Sequence, residues 1–223
     1  MERHFDEELN QLKTRLLLMG GRAEAIVHKA IDALKTRDSA LAEEVFADDK
    51  AIDQLEIEID ERAIRLLALR QPVGSDLRFV TSALMIVNDL ERVGDHGVNI
   101  AQSTLRLNRE PELKPLVDIP RMAVLATRML TEALDAFVEN DAAAARLVLT
   151  EDDEVDELKA RLYQELIALM TENPQAIARG LELILVSRNL ERVADLATNI
   201  AEEVVFIAEA AVVKHHMEER RAP

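Results

Sequence analysis

An all-α protein built as two similar three-helix bundles is predicted by three features of the sequence. The first is its apolar content: 48% of the 223 residues are hydrophobic but only 3% are aromatic, and cysteine and tryptophan are absent. That leaves Ala, Leu, Val, Ile and Met, residues that pack helices rather than aromatic-rich sheets. The second is periodicity. Phe5, Leu9, Leu12, Leu16 and Met19 recur at spacings of three and four, and Ile26, Ala30, Ile31 and Leu34 continue the same face. The third is an internal repeat in which the second half restates the first.

Taken in order, the first helix runs roughly from Glu2 to Thr36. Asp38 is a suitable N-cap for a second that reaches about Arg70. Pro72 and Gly74 break the chain, and a third helix starts near Ser75-Asp76 and ends near Asn108. Pro111, Pro115 and Pro120 mark a linker, after which a fourth helix spans about Ile119 to Glu139. The fifth begins at Asn140-Asp141 and ends near Glu172. The sixth opens with Asn173 as N-cap and Pro174 at the first helical position, where its missing N–H costs nothing. Six long helices result, with residues 1–108 as the first bundle, 109–120 as the linker and 121–223 as the second. Gly20-Gly21, Gly94 and Gly97 fall inside helical patterns and point to close packing or a bend.

The repeat is explicit. Asp89-Leu-Glu-Arg-Val-Gly-Asp95, ending in Asn99-Ile-Ala101, returns as Asn189-Leu-Glu-Arg-Val-Ala-Asp195, ending in Asn199-Ile-Ala201, at an offset of 100. Upstream, Asp49-Lys-Ala-Ile-Asp53 returns as Asp152-Asp-Glu-Val-Asp156, at an offset of 103 that also relates Asp38 to Asp141. The three-residue difference is absorbed in the turns carrying Pro72-Val-Gly74 and Asn173-Pro174. Each half therefore presents three helices in matching order.

Composition excludes several chemistries. Without cysteine there is no disulfide framework, no thiolate metal site and no thiol nucleophile. A formal charge of −16 with no basic block argues against nucleic acid. No run of about 18 uncharged apolar residues crosses a membrane, and the charged N-terminus lacks a signal-peptide core. A cytoplasmic protein without direct membrane insertion is expected. No Walker loop, dinucleotide turn or nucleophile elbow occurs.

What remains are carboxylate pairs four residues apart, each on one face of a helix: Asp49/Asp53, Glu91/Asp95, Asp152/Asp156 and Glu191/Asp195. Like charges at that spacing destabilise an isolated helix by a few tenths of a kcal/mol, a cost a bridging cation removes. All-oxygen donors suit magnesium, manganese, calcium or iron. The bland alternative has weight, because 43 acidic residues give about eight such pairs by chance. Arg92 and Arg192 are also available as salt-bridge partners across helices. Duplication within apolar stretches favours the site reading. His96 follows Asp95 and is a possible added ligand, but its counterpart is Leu196. His4, His28, His215 and His216 have no partner at a ligand spacing and read as surface residues. Glu-x-x-His, the mark of di-iron carboxylate bundles, is absent.

The chain resembles the PhoU family. The likeness spans nearly all of it: His4-Phe-Asp-Glu-Glu-Leu9, Leu16-Leu-Leu-Met-Gly20, Ile52-Asp-Gln-Leu-Glu56, Gln71-Pro-Val-Gly-Ser-Asp-Leu-Arg78, and the two Asp/Asn-Leu-Glu-Arg-Val segments. The resemblance implies paired three-helix bundles with multinuclear metal clusters on the acidic motifs. Those motifs match Asp49, Asp53, Glu91 and Asp95 in the first half, and Asp152, Asp156, Glu191 and Asp195 in the second. Iron, or another divalent metal such as zinc, manganese or magnesium, is the implied occupant. Leu196 replaces a histidine often found after the second motif, which weakens that cluster. The implied role is a non-catalytic adaptor of high-affinity phosphate transport. It links the transporter's ATP-binding subunit to a phosphate-sensing histidine kinase and holds uptake and the starvation response down. A homodimer is expected. The alternatives are a metal-dependent carboxylate-bridged enzyme or metal store, and a purely structural helical dimer.

Overall fold

A computed structural model describes residues 2–213, with side chains from Phe5 onward. Among these residues the elements are α1 (Glu2–Thr36), α2 (Ser39–Arg70), α3 (Gly74–Leu107), α4 (Asp118–Glu139), α5 (Ala142–Val148), α6 (Asp152–Glu172), a 3₁₀ turn (Pro174–Ala176) and α7 (Ile177–Glu209). His4, His215 and His216 lie outside the described side chains.

The repeat is legible at the level of single hydrogen bonds. Asp38 caps α2 by accepting from the amides of Ala40 and Leu41 at 2.9 and 3.1 Å. Its counterpart Asp141 accepts from Ala143 and Ala144 at 2.8 and 3.0 Å. Satisfying orphan amides this way is worth about 1 kcal/mol at each helix start. Asn173 caps in the same manner, accepting from Gln175 with Pro174 in the first turn.

The fifth helix does not run unbroken from Asn140 to Glu172. It is interrupted at residues 149–151, giving α5 and α6 where the first repeat has the single helix α2. The reason is local. Thr150 stands where the first repeat has Ala47, and its hydroxyl donates to the Leu147 carbonyl at 2.7 Å, competing with the helical ladder. Asp152, Asp153 and Glu154 then fill a first turn, where negative charge favours a helix start. The equivalent first-repeat residues include Lys50 and Ala51, which continue a helix instead.

One continuous apolar core runs through both halves, from Leu12, Leu16 and Ile26 to Val193, Ala197 and Ile200. Within the first half α1, α2 and α3 pack on one another; within the second, α4, α5 and α6 pack on α7. The halves meet where α3 lies along α7 and α1 along α4. Several contacts fasten that seam. Phe79 stacks on Phe137 with ring centroids 5.4 Å apart, and the Ser82 hydroxyl donates to the buried Glu203 carboxylate at 2.6 Å. Arg106 Nε donates to Glu182 at 2.6 Å. Gly97 lets α3 approach α1, since a Cβ there would stand 2.4 Å from Ile26 Cγ2. The linker is held rather than loose: Leu113 and Leu116 pack on the core, and Arg179 donates to the Pro111 carbonyl at 3.0 Å. No helix among the described residues is long and apolar enough to cross a membrane.

Candidate metal centre

The two carboxylate pairs of the first half sit on neighbouring helices, Asp49/Asp53 on α2 and Glu91/Asp95 on α3. Their mutual influence shows in their protonation. Burial first, then the charges of Asp53 and Asp95, pushes Asp49 up to about 6. Glu91 is pushed up to about 7 by burial and by Asp95, Glu56, Asp53 and Asp49 in turn. Four sequence-predicted residues thus form one electrostatic cluster. Glu56 and Asp60, one and two turns along α2, extend it, and burial raises both, with Asp60, Asp53 and Asp95 adding to Glu56. Gly94 belongs to the same site. A Cβ there would stand 2.8 Å from Asp49 Oδ1 and 3.0 Å from Ile52 Cδ1, so the glycine leaves room for the carboxylate to lie against α3.

The second half gathers Asp152, Asp156, Glu191 and Asp195 in the corresponding place, but the chemistry differs. Lys159 on α6 reaches into the group, with Nζ donating to Glu191 Oε1 at 2.9 Å and to Asp156 Oδ1 at 3.3 Å. Arg192 Nη1 donates to Asp195 Oδ2 at 2.8 Å, and its Nε lies 3.7 Å from Glu191 Oε2. Lys159 stands at the position of Glu56, so a cation replaces an anion between repeats. Burial, then Asp195, Asp156, Glu191 and Asp153, still pushes Asp152 up to about 6, and its Oδ1 is buried without a hydrogen-bond partner. Asp195 is raised by burial and Glu191, against the pull of Arg192.

The arginines act within their own helices rather than across them. Arg92 lies 3.8 Å from Asp89, which draws it off the first cluster. Its counterpart Arg192 has the neutral Asn189 in that place and turns to Asp195 instead. His96 faces the other repeat, its Nδ1 2.9 Å from Asn189 Oδ1. Sequence reasoning missed Lys159, Glu56 and Asp60. The signal was present, since the offset of 103 that aligns the Asp pairs also sets Glu56 against Lys159 and Asp60 against Tyr163.

The donor chemistry fits a hard cation, being all carboxylate oxygen with a glycine cradle at Asp49. As placed, no three His or carboxylate side chains among the described residues converge as a ready ligand set for one ion.

Comparison with known proteins supplies the family. The PhoU domain model matches twice, over residues 16–104 and 119–204. The chain belongs to the PhoU family. A phosphate-specific transport system accessory protein PhoU homolog of Aquifex aeolicus is 39% identical over 215 residues, 96% of this chain and 97% of that one. The Pseudomonas aeruginosa homolog is 39% identical over 216 residues, covering 96% and 89%. The crystal structure of PhoU from the same organism superposes with a TM-score of 0.90 at 40% identity, over 93% of this chain and 100% of that chain. The phosphate transport system regulatory protein PhoU from Streptococcus pneumoniae superposes at 0.89 with 35% identity, over 94% and 99%. The two family-model matches fall on the two halves found from the repeat, and each carries one acidic cluster.

Proposed function

We propose that this chain is a non-catalytic, cytoplasmic accessory protein of a phosphate transport system. It restrains phosphate uptake and the phosphate-starvation response by linking the transporter's ATP-binding subunit to a sensor histidine kinase. The observation that carries this reading is the agreement of sequence and fold with PhoU proteins over nearly the whole of both chains. Long helices joined by one continuous core offer extended faces for docking, which suits an adaptor. A pulldown from cells grown in high phosphate tests it. Co-recovery of the ATP-binding subunit and the kinase is expected. Recovery of neither, together with unchanged uptake in a deletion strain, would contradict it.

The acidic clusters are a separable part of the proposal. Asp49, Asp53, Glu91 and Asp95 would hold a divalent metal, iron or one of zinc, manganese and magnesium, whose charge relieves four mutually repelling carboxylates. Asp152, Asp156, Glu191 and Asp195 are the equivalent positions, but there Lys159 and Arg192 already supply positive charge, so a metal binds there only by displacing them and the first cluster fills in preference. Elemental analysis of the protein and of a Glu91→Ala/Asp95→Ala variant tests the ligand set; equal metal in both would remove it.

A further inference from the structure

The duplication makes each end of the α3–α7 seam a control for the other. At one end lies a groove of about 300 Å³ lined by three guanidinium groups, those of Arg106, Arg188 and Arg192, together with His96, and by no carboxylate. Applying the offset of 100 gives the equivalent positions at the opposite end: Arg106 becomes Phe206, Arg188 becomes Asn88 and His96 becomes Leu196, while Arg192 keeps an arginine, Arg92. The neutral groove residues Ser103 and Asn189 become Glu203 and Asp89. The groove at that end, about 310 Å³, is lined by Met85, Phe206, Val212 and Val213 with Glu202 and Glu203. One repeat-related groove is thus lined by apolar and acidic side chains, the other by cationic ones with no carboxylate in its lining, in a chain whose formal charge is −16.

The cationic end has donors to spare. A guanidinium carries five N–H donors. Arg106 uses Nε on Glu182 and one Nη on Ser103. Arg192 gives Nη1 to Asp195 at 2.8 Å, and its Nε lies 3.7 Å from Glu191. Arg188 is exposed. His96 stands at the groove wall, its Nδ1 2.9 Å from Asn189 Oδ1. Amide groups of Asn99 and Asn189 add neutral hydrogen-bonding capacity to the lining.

From this geometry we infer that the groove between α3 and α7 is a binding site for a small dianionic oxyanion, inorganic phosphate being the ligand of that chemistry. Arg188 and the free edges of Arg106 and Arg192 hold the oxygens through charge-assisted bonds, and the fork of each guanidinium matches two of them. His96, fixed at Nδ1 by Asn189, lies at the groove wall and reports occupancy. The site borders the second acidic cluster through Arg192, which bonds Asp195, and goes beyond the adaptor reading, which stands whether or not it exists.

Calorimetric titration of chelator-treated protein with inorganic phosphate, at constant ionic strength, tests the inference; removing metal first denies phosphate a bound cation to ligate. Saturable binding of one phosphate per chain is expected, with a shift of the His96 imidazole resonances over the same range. Arg188→Asn, which installs the residue of the opposite end, should weaken binding about tenfold, and Arg188→Glu should abolish it. Because Arg188 is exposed, both variants should keep the wild-type melting midpoint. Asn88→Ala at the opposite end should change nothing. Competition by sulfate supports an oxyanion site. Equal competition by chloride, binding unaffected by Arg188→Glu, or unmoved His96 resonances at phosphate saturation would each overturn it.

Discussion

The two acidic clusters occupy equivalent places in equivalent bundles, yet they solve the same electrostatic problem differently. Each brings four carboxylates together at the edge of an apolar core. In the second half the chain answers with its own cations, Lys159 on Glu191 and Asp156 and Arg192 on Asp195. In the first half the position of Lys159 is Glu56, and Asp89 holds Arg92 elsewhere, so burial and then the uncompensated charges of Asp95, Glu56, Asp53 and Asp49 push Glu91 up to about 7. Duplication preserved the backbone and the carboxylates; two or three neighbouring side chains decide whether the charge is balanced from inside or left for an outside cation.

The most disruptive way to break that contrast is Lys159→Glu. It removes both lysine bonds and adds a fifth carboxylate, so at neutral pH it should cost about 2–3 kcal/mol, read from the denaturant midpoint. Added divalent cation should restore part of the loss. Gly94→Ala comes next. The new Cβ forces Asp49 and Ile52 aside, at about 1–2 kcal/mol, although the second repeat carries Ala194 at the same place without difficulty. A third effect needs only a pH series. Asp49 and Glu91 hold their protons more tightly when folded than unfolded. The stability this confers is full below the ordinary carboxylate range and lost as pH rises through about 6 to 7. Asp152 and Asp195, also raised, act in the same direction. Stability should therefore decline from about pH 4 to 7. The smallest expected change is from Glu56→Lys, which copies Lys159 into the first half. It should stabilise by under about 1 kcal/mol, because the site is partly solvated, and flatten the decline above pH 6 by bringing Glu91 down.

Most of the fold was legible because its signals are local and repeated. Asp38 and Asp141 cap their helices through the same pair of amides, and the apolar spacing around Leu12, Leu16 and Met19 marks a buried face. The break at residues 149–151 was not read, since a threonine and three acidic residues shift a helix start without interrupting the apolar period. The site was half legible. Spacing named the eight carboxylates, but whether they feel each other depends on how α2 lies on α3 and α6 on α7, which no single helix records. Lys159 escaped because a lysine on a charged helix looks like solvated surface until the repeat is aligned through it. The cationic groove escaped for a different reason: Arg106, Arg188 and Arg192 are scattered over 87 residues and meet only where α3 crosses the repeat boundary onto α7.

The central claim is that the first cluster takes an outside cation and the second does not need one. Metal content after equilibration with iron or manganese, measured by elemental analysis on three proteins, tests it directly. The wild type and a Glu191→Ala/Asp195→Ala variant should retain the same metal, while Glu91→Ala/Asp95→Ala should lose it. Equal loss from both variants, or loss confined to the second, would contradict the account.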